Sequence, residues 1–246
     1  DVATLADIVA GDPQAIGFVS NATRKKAKPL ELVTSCGLHT APGPETFRTR
    51  RYPFTQAIVA RQGGDSALAA GLLGDLAAAP ELFREIGFAD AGIGLQSLDS
   101  DRRMLAERTS DLTDNQLRDA AANALAGMET ARRLSQVLYF ERGTNRLDPQ
   151  SRDALARVLE WLEDNEVGEA FLVGHAPAGD APGHAMDAAR AAADLVRQEI
   201  TLSEGAPLDV VFRRLALGGL LPVVCPGDIN HAASNSRVEI WVRAKG

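Results

Sequence analysis

Asn235-Ser236-Arg237-Val238-Glu239-Ile240-Trp241-Val242 alternates residue by residue. Val238, Ile240 and Val242 fall on one side; Arg237, Glu239, Trp241 and Arg243 fall on the other. Period two with β-branched residues on the apolar side reads as a half-buried strand. Ala170-Phe171-Leu172-Val173, running into Gly174-His175, reads as a second strand, and Val137-Leu138-Tyr139-Phe140 as a third. Between them, residues 151–163 and 183–200 read as helices. This order predicts an α/β (α+β) fold, a compact βαβαβ sandwich with its helices on one face of the sheet.

Tyr139-Phe140-Glu141-Arg142-Gly143 with Leu147, then Val173-Gly174-His175, then Arg190-Ala191, then Asn235-Ser236-Arg237-Val238-Glu239-Ile240 follow one another in the chain. In that order they resemble the OmpA-like peptidoglycan-binding domain, over a stretch about the size of one small domain. The resemblance implies noncovalent attachment to peptidoglycan in the periplasm of a Gram-negative cell envelope. In that family a loop aspartate after the Gly-His strand and an arginine on the next helix clamp the diaminopimelate of the stem peptide. A guanidinium fork suits the carboxylate, and an acid suits the ammonium.

By that resemblance the arginine is Arg190. The acid position departs from the family: Ala176-Pro177 stand where Thr-Asp is usual, so Asp180 or Asp187 is the expected substitute. His175 belongs to the strand-end motif, its ring expected on loop backbone. Asn235 and Arg237, opening the last strand, are expected to neighbour the same cleft. On the residues alone, Arg190 also fits a surface arginine paired with Asp187 or Asp194 at helical spacing.

Toward the N-terminus, residues 15–20, 30–34 and 54–60 read as short strands. Residues 66–78 and 80–86 read as helices, Pro80 sitting at a tolerated first-turn position. Ala15-Ile16-Gly17-Phe18-Val19, Ser35-Cys36-Gly37-Leu38 and the run Glu45 to Phe54 resemble the latter half of a phosphate-type periplasmic substrate-binding protein. The family's first half carries the loops that hold the oxyanion, so a working phosphate site is not expected here. Arg24, Lys25, Lys26 and Lys28 read as a solvated basic loop, with an anion patch as the other reading. A periplasmic solute-binding or sensing protein, with the C-terminal part as scaffold, is therefore the alternative function.

The division expected is 1–101 for the substrate-binding-like region, 102–133 for a helical connector and 134–246 for the OmpA-like domain. Leu117, Ala121, Leu125 and Met128 recur at helical spacing, giving a helix over 114–133. It serves either as a spacer or as the first packed element of the last domain. Residues 99–111 read as a flexible boundary.

Composition bounds the rest. Of 246 residues, 45% are hydrophobic and 24% charged, an ordinary globular balance. The formal net charge of −7 argues against nucleic acid, which needs a basic face. No apolar run is long enough to span a bilayer, and a start at Asp1 fits a processed or truncated chain. Cys36 and Cys225 read as buried free thiols in separate domains, with a bridge as the alternative in an oxidising compartment. The four histidines, His39, His175, His184 and His231, form no zinc-binding spacing, and no P-loop or nucleophile elbow occurs. The chain reads as a non-enzyme without metal or cofactor, its partners peptidoglycan and other envelope proteins.

Overall fold

The computed structural model describes residues 2–24, 26–60, 62–96, 99–177, 182–225 and 232–245. Its contacts divide the chain into two compact units, residues 1–33 with 39–92 and residues 34–38 with 93–246.

The first unit contains helix α1 (Val2–Gly11), a 3-10 turn (Asn21–Thr23), and a two-residue hairpin of β1 (Leu32–Val33) and β2 (His39–Thr40). Helices α2 (Pro44–Arg48), α3 (Ala67–Ala78) and α4 (Pro80–Glu85) complete it. The strands expected over 15–20 and 54–60 do not form, and that over 30–34 shrinks to β1. Those segments find no neighbouring strand among the described residues to take up their main-chain groups. Only Ala6, Ala27 and Thr49 are buried among the described residues of this unit, so it has almost no apolar core.

Polar and aromatic contacts hold the first unit instead. Asp90 Oδ2 accepts from Arg48 Nη2 at 2.7 Å and Arg84 Nε at 2.6 Å, while Asp90 Oδ1 accepts from the Gly92 amide at 2.7 Å. Phe18, Phe54, Tyr52 and Phe47 meet edge to face in a chain, with centroids 5.5 to 5.9 Å apart. Arg24 closes its own loop by donating to Asn21 Oδ1 and the Ala27 carbonyl.

The second unit carries a five-stranded mixed sheet in an α/β fold. Its strands are β3 (Leu95–Gln96), β4 (Arg132–Tyr139), β5 (Val167–His175), β6 (Val211–Ala216) and β7 (Arg237–Ala244), in spatial order β3-β4-β7-β5-β6. Every pairing is antiparallel except β5 with β6. Helices α7 (Pro149–Asp164) and α8 (Pro182–Leu202) lie against one face. Asp148 starts α7 as N-cap, accepting from the Ser151 amide at 2.7 Å, and Pro149 occupies the first turn. Ala154, Leu155, Val158, Leu159 and Leu162 recur along one stripe of α7 and are buried against Leu138, Leu172 and Ile240. The turn carrying Gly143, at φ +73°, brings Leu147 back to bridge Phe140, which accounts for that stretch of motif.

The other face is covered too. Helix α5 (Asp99–Ser110) occupies the expected flexible boundary, and α6 (Asn115–Met128) ends before the predicted 133 because Arg132 already starts β4. Both belong to the second unit, the packed alternative for the connector. Leu105, Ala124 and Met128 pack with Phe171, Val173 and Trp241. Helices on one face was thus too simple an expectation, and β7 is buried on both sides rather than half-buried. Two arginines serve the C-terminal end of α6: Arg243 donates to the Gly127 carbonyl, and Arg102 to those of Met128 and Ala131.

Candidate functional site

Strand β5 ends at Gly174-His175, facing Val238 and Arg237 of β7, and Arg237 in turn faces Tyr139 of β4. Gly174 is required there by close approach. A Cβ built on it would lie 1.9 Å from the Ala189 carbonyl oxygen and 2.7 Å from its carbon, so the backbone of α8 rests directly on this residue. The small buried residues Ala185, Ala189 and Ala193 permit that approach along α8. The neighbour of Ala189 in sequence, Arg190, is exposed, and its Nη1 donates to Asp187 Oδ1 at 2.7 Å. Asp194 is engaged elsewhere, paired with Arg214 of β6. Of the two acids expected to replace the family's aspartate, Asp187 thus meets Arg190, and Asp180 lies outside the described residues.

Arg237 has a different environment. Its side chain is 0% exposed. Nε and Nη2 reach Glu239 Oε1 at 3.0 and 2.9 Å, Nη2 also donates to the Leu221 carbonyl at 3.0 Å, and Nη1 is buried without a hydrogen-bond partner. The structure therefore separates the two expected arginines, one sealed in the unit and one on its surface. Glu239 is the hub of the buried group: its Oε2 lies 3.2 Å from Arg133 Nη1, 3.4 Å from Trp241 Nε1 and 3.7 Å from His175 Nε2. Arg133 also contacts Asp101 of α5 at 3.2 Å and Gln96 Oε1 of β3 at 2.9 Å. Burial pushes the Glu239 carboxyl up, but Arg133, Arg237 and His175 outweigh it and hold it well below the usual carboxylate range.

Asn235 is also buried. Its Oδ1 accepts from the Val223 and Val224 amides at 2.7 and 3.2 Å, and its Nδ2 donates to the Val224 carbonyl at 3.1 Å. Its amide is thus spent on pinning the segment that follows β6. Beside that segment, Cys225 is bonded to Cys36, with Sγ–Sγ at 2.14 Å, which corrects the reading as free thiols in separate domains. Thr34–Leu38, the turn bearing Cys36, groups with the second unit, so both cysteines lie there.

Sequence reasoning missed Glu239, Arg133 and Asp101 as a group. One signal was available: Trp241 shares the face of β7 that carries Glu239, and a large aromatic on a polar strand face points to burial. Among the described residues, no group of three or more His, Cys, Asp or Glu side chains could hold a metal ion, and no helix is long and apolar enough to cross a membrane.

No protein-family model and no curated protein matches the chain. Parts of it are similar to solved structures. The cell wall anchor of the T6SS from Pseudomonas aeruginosa is 16% identical, covering 52% of this chain and 97% of its own, at a TM-score of 0.35. The OmpA-like domain of FopA1 from Francisella tularensis subsp. tularensis SCHU S4 is 13% identical, covering 47% and 77%, at 0.32. A putative MotB like protein from Desulfovibrio vulgaris is 17% identical, covering 59% and 99%, at 0.34. Overlaps this low carry no functional argument.

Proposed function

We propose that the second unit binds peptidoglycan noncovalently and anchors its parent protein in the bacterial cell envelope, with Arg190 and Asp187 as the contact pair. The observation that carries this reading is the exposed Arg190–Asp187 pair one residue beyond the Gly174–Ala189 contact. Arg190 stands where the resemblance expects the arginine of a diaminopimelate clamp, and Asp187, one turn earlier on α8, takes the part of the family's loop aspartate, whose place Ala176-Pro177 occupy here. A zwitterion is the natural guest of such a pair: its carboxylate takes the guanidinium and its ammonium takes the carboxylate. The Cys36–Cys225 bond supports an oxidising, exported compartment.

The test is cosedimentation of the full chain with lipid-free sacculi containing diaminopimelate, beside its Arg190→Ala and Asp187→Asn variants. Both substitutions sit on the exposed face of α8 and should leave the fold intact. Binding lost in Arg190→Ala and weakened in Asp187→Asn is the expected result. Failure of the unmodified chain to sediment removes the anchoring role, and unaltered binding by Arg190→Ala removes the clamp.

A further inference from the structure

Residues 15–60 differ from the rest of the chain in charge. They hold seven of its 26 Lys and Arg but only two of its 33 Asp and Glu, giving net +5 within a chain of net −7. No acid at all lies between Asp12 and Glu31, where Arg24, Lys25, Lys26 and Lys28 cluster. The same segment exposes apolar side chains on a scale unusual for a soluble surface. Ile16, Phe18, Ile58 and Val59 are each at least three-quarters exposed. Lys26 and Lys28 are exposed as well. The Phe18–Phe54 ring contact joins the stretch before the first basic cluster to the stretch after the second, Arg50-Arg51-Tyr52.

From this combination we infer that residues 15–60 dock the protein on an anionic lipid surface. Cations facing headgroup phosphates, with aromatic and aliphatic side chains entering the acyl boundary beneath them, are the two ingredients of interfacial binding. Charge selects this occupant over others. A polyanion in water, such as nucleic acid, would give Ile16, Ile58 and Val59 nothing to enter. A second copy would bring one cationic segment against another. A membrane face satisfies both features together. The inference goes beyond wall binding, and the side chains it rests on, Ile16, Phe18, Lys26, Lys28, Ile58 and Val59, all belong to the first unit.

The experiment is flotation of the full, oxidised chain with vesicles of phosphatidylglycerol and phosphatidylethanolamine, beside vesicles of phosphatidylcholine alone. Preferential partition into the anionic vesicles, largely lost between about 0.05 M and about 0.5 M NaCl as screening shortens, is expected. Each cation near such a surface is worth about fivefold in partition, so Lys26→Gln with Lys28→Gln should weaken it about 25-fold. Phe18→Ser should weaken partition at every salt concentration. Circular dichroism shows whether a variant has kept its fold, and the salt series on the unmodified chain tests the idea without any substitution. No partition, or equal partition into both vesicle types, overturns the inference. So does release by about 1 mM inorganic phosphate, which marks a discrete anion pocket instead of a screened surface. A mass doubling in sedimentation, with the chain left behind by vesicles, overturns it in favour of self-association. Because these vesicles lack peptidoglycan and the sacculi lack lipid, failure of either proposal leaves the other standing.

Discussion

Gly174→Ala tests the contact on which the site geometry depends. The added Cβ would lie 1.9 Å from the Ala189 carbonyl oxygen, where about 3.2 Å is the nearest an unstrained contact allows. The obstacle is main chain, so no rotamer change relieves it, and α8 must move by more than 1 Å or β5 must bend. Overpacking of this kind costs typically 1–3 kcal/mol, and a backbone obstacle places the expected loss at about 3 kcal/mol. For a unit of roughly 150 residues that is about 6–12 °C in the unfolding midpoint. Gly127→Ala is the matched control. A Cβ there meets Leu215 Cδ1 at 3.5 Å and Phe171 Cε1 at 3.6 Å, ordinary contacts inside α6, so it should be neutral or stabilising by up to about 1 kcal/mol. Denaturant unfolding followed by tryptophan fluorescence reads the second unit, since Trp161 and Trp241 both lie within it. If Gly174→Ala unfolds within about 1 kcal/mol of the unmodified chain, the close approach of α8 to β5 is refuted, given the size such a clash demands.

Glu239→Gln leaves Arg133, Arg237 and their partners with one anion fewer in a buried group, and should cost about 3–5 kcal/mol by the same unfolding assay. Asn235→Ala strands the Val223 and Val224 amides and the Val224 carbonyl; a loss of about 1–3 kcal/mol and faster amide exchange at residues 223 and 224 are expected. Asp90 gives the first unit its pH dependence. Burial pushes its carboxyl up, but Arg84, the Gly92 amide and Arg48 outweigh that and bring it from 3.8 down to about 2. Because the folded value is depressed, the stabilisation is complete above pH 3.8 and disappears as pH falls through about 2. It amounts to at most about 2 kcal/mol, which Asp90→Asn should remove at neutral pH and leave insensitive to acid.

Period-two and period-3.6 patterns made the core of the second unit legible. Val238, Ile240 and Val242 face α7 and α8 as their alternation says, and the stripe of α7 packs as its spacing says. The polar side of β7 was misread because polarity stood in for exposure. Arg237 and Glu239 are charged and yet sealed, their charges matched by partners from β4, β5 and α5 that lie far away in the chain. Helix α5 escaped for the same reason: Asp101 and Thr109 share its buried stripe with Leu105, so its inward face does not read as apolar. Strand β6 is an edge strand carrying Arg213 and Arg214, whose place is set by main-chain pairing with β5 rather than by side-chain pattern. The 189-residue separation between Cys36 and Cys225 puts their pairing beyond any local signal.

The two arginines that the motifs place at one cleft end up with opposite physics, and that difference yields a test separating structure from binding. A guanidinium at zero exposure, already donating to Glu239 and the Leu221 carbonyl, cannot turn to a ligand without leaving a buried carboxylate bare. Arg237 therefore positions the segment after β6 and the base of β7. Arg190 loses only a surface pair with Asp187, worth a few tenths of a kcal/mol, if it swings to a ligand carboxylate. Arg237→Ala should accordingly lower stability by about 3–5 kcal/mol, and any wall binding it loses should return at temperatures where the variant is folded. Arg190→Ala should leave the unfolding midpoint within about 0.5 kcal/mol and abolish sedimentation with sacculi at every temperature. If instead the folded Arg237→Ala variant fails to bind while Arg190→Ala binds normally, the proposed division of labour between the two arginines is wrong, and the contact surface lies at the buried end of β7.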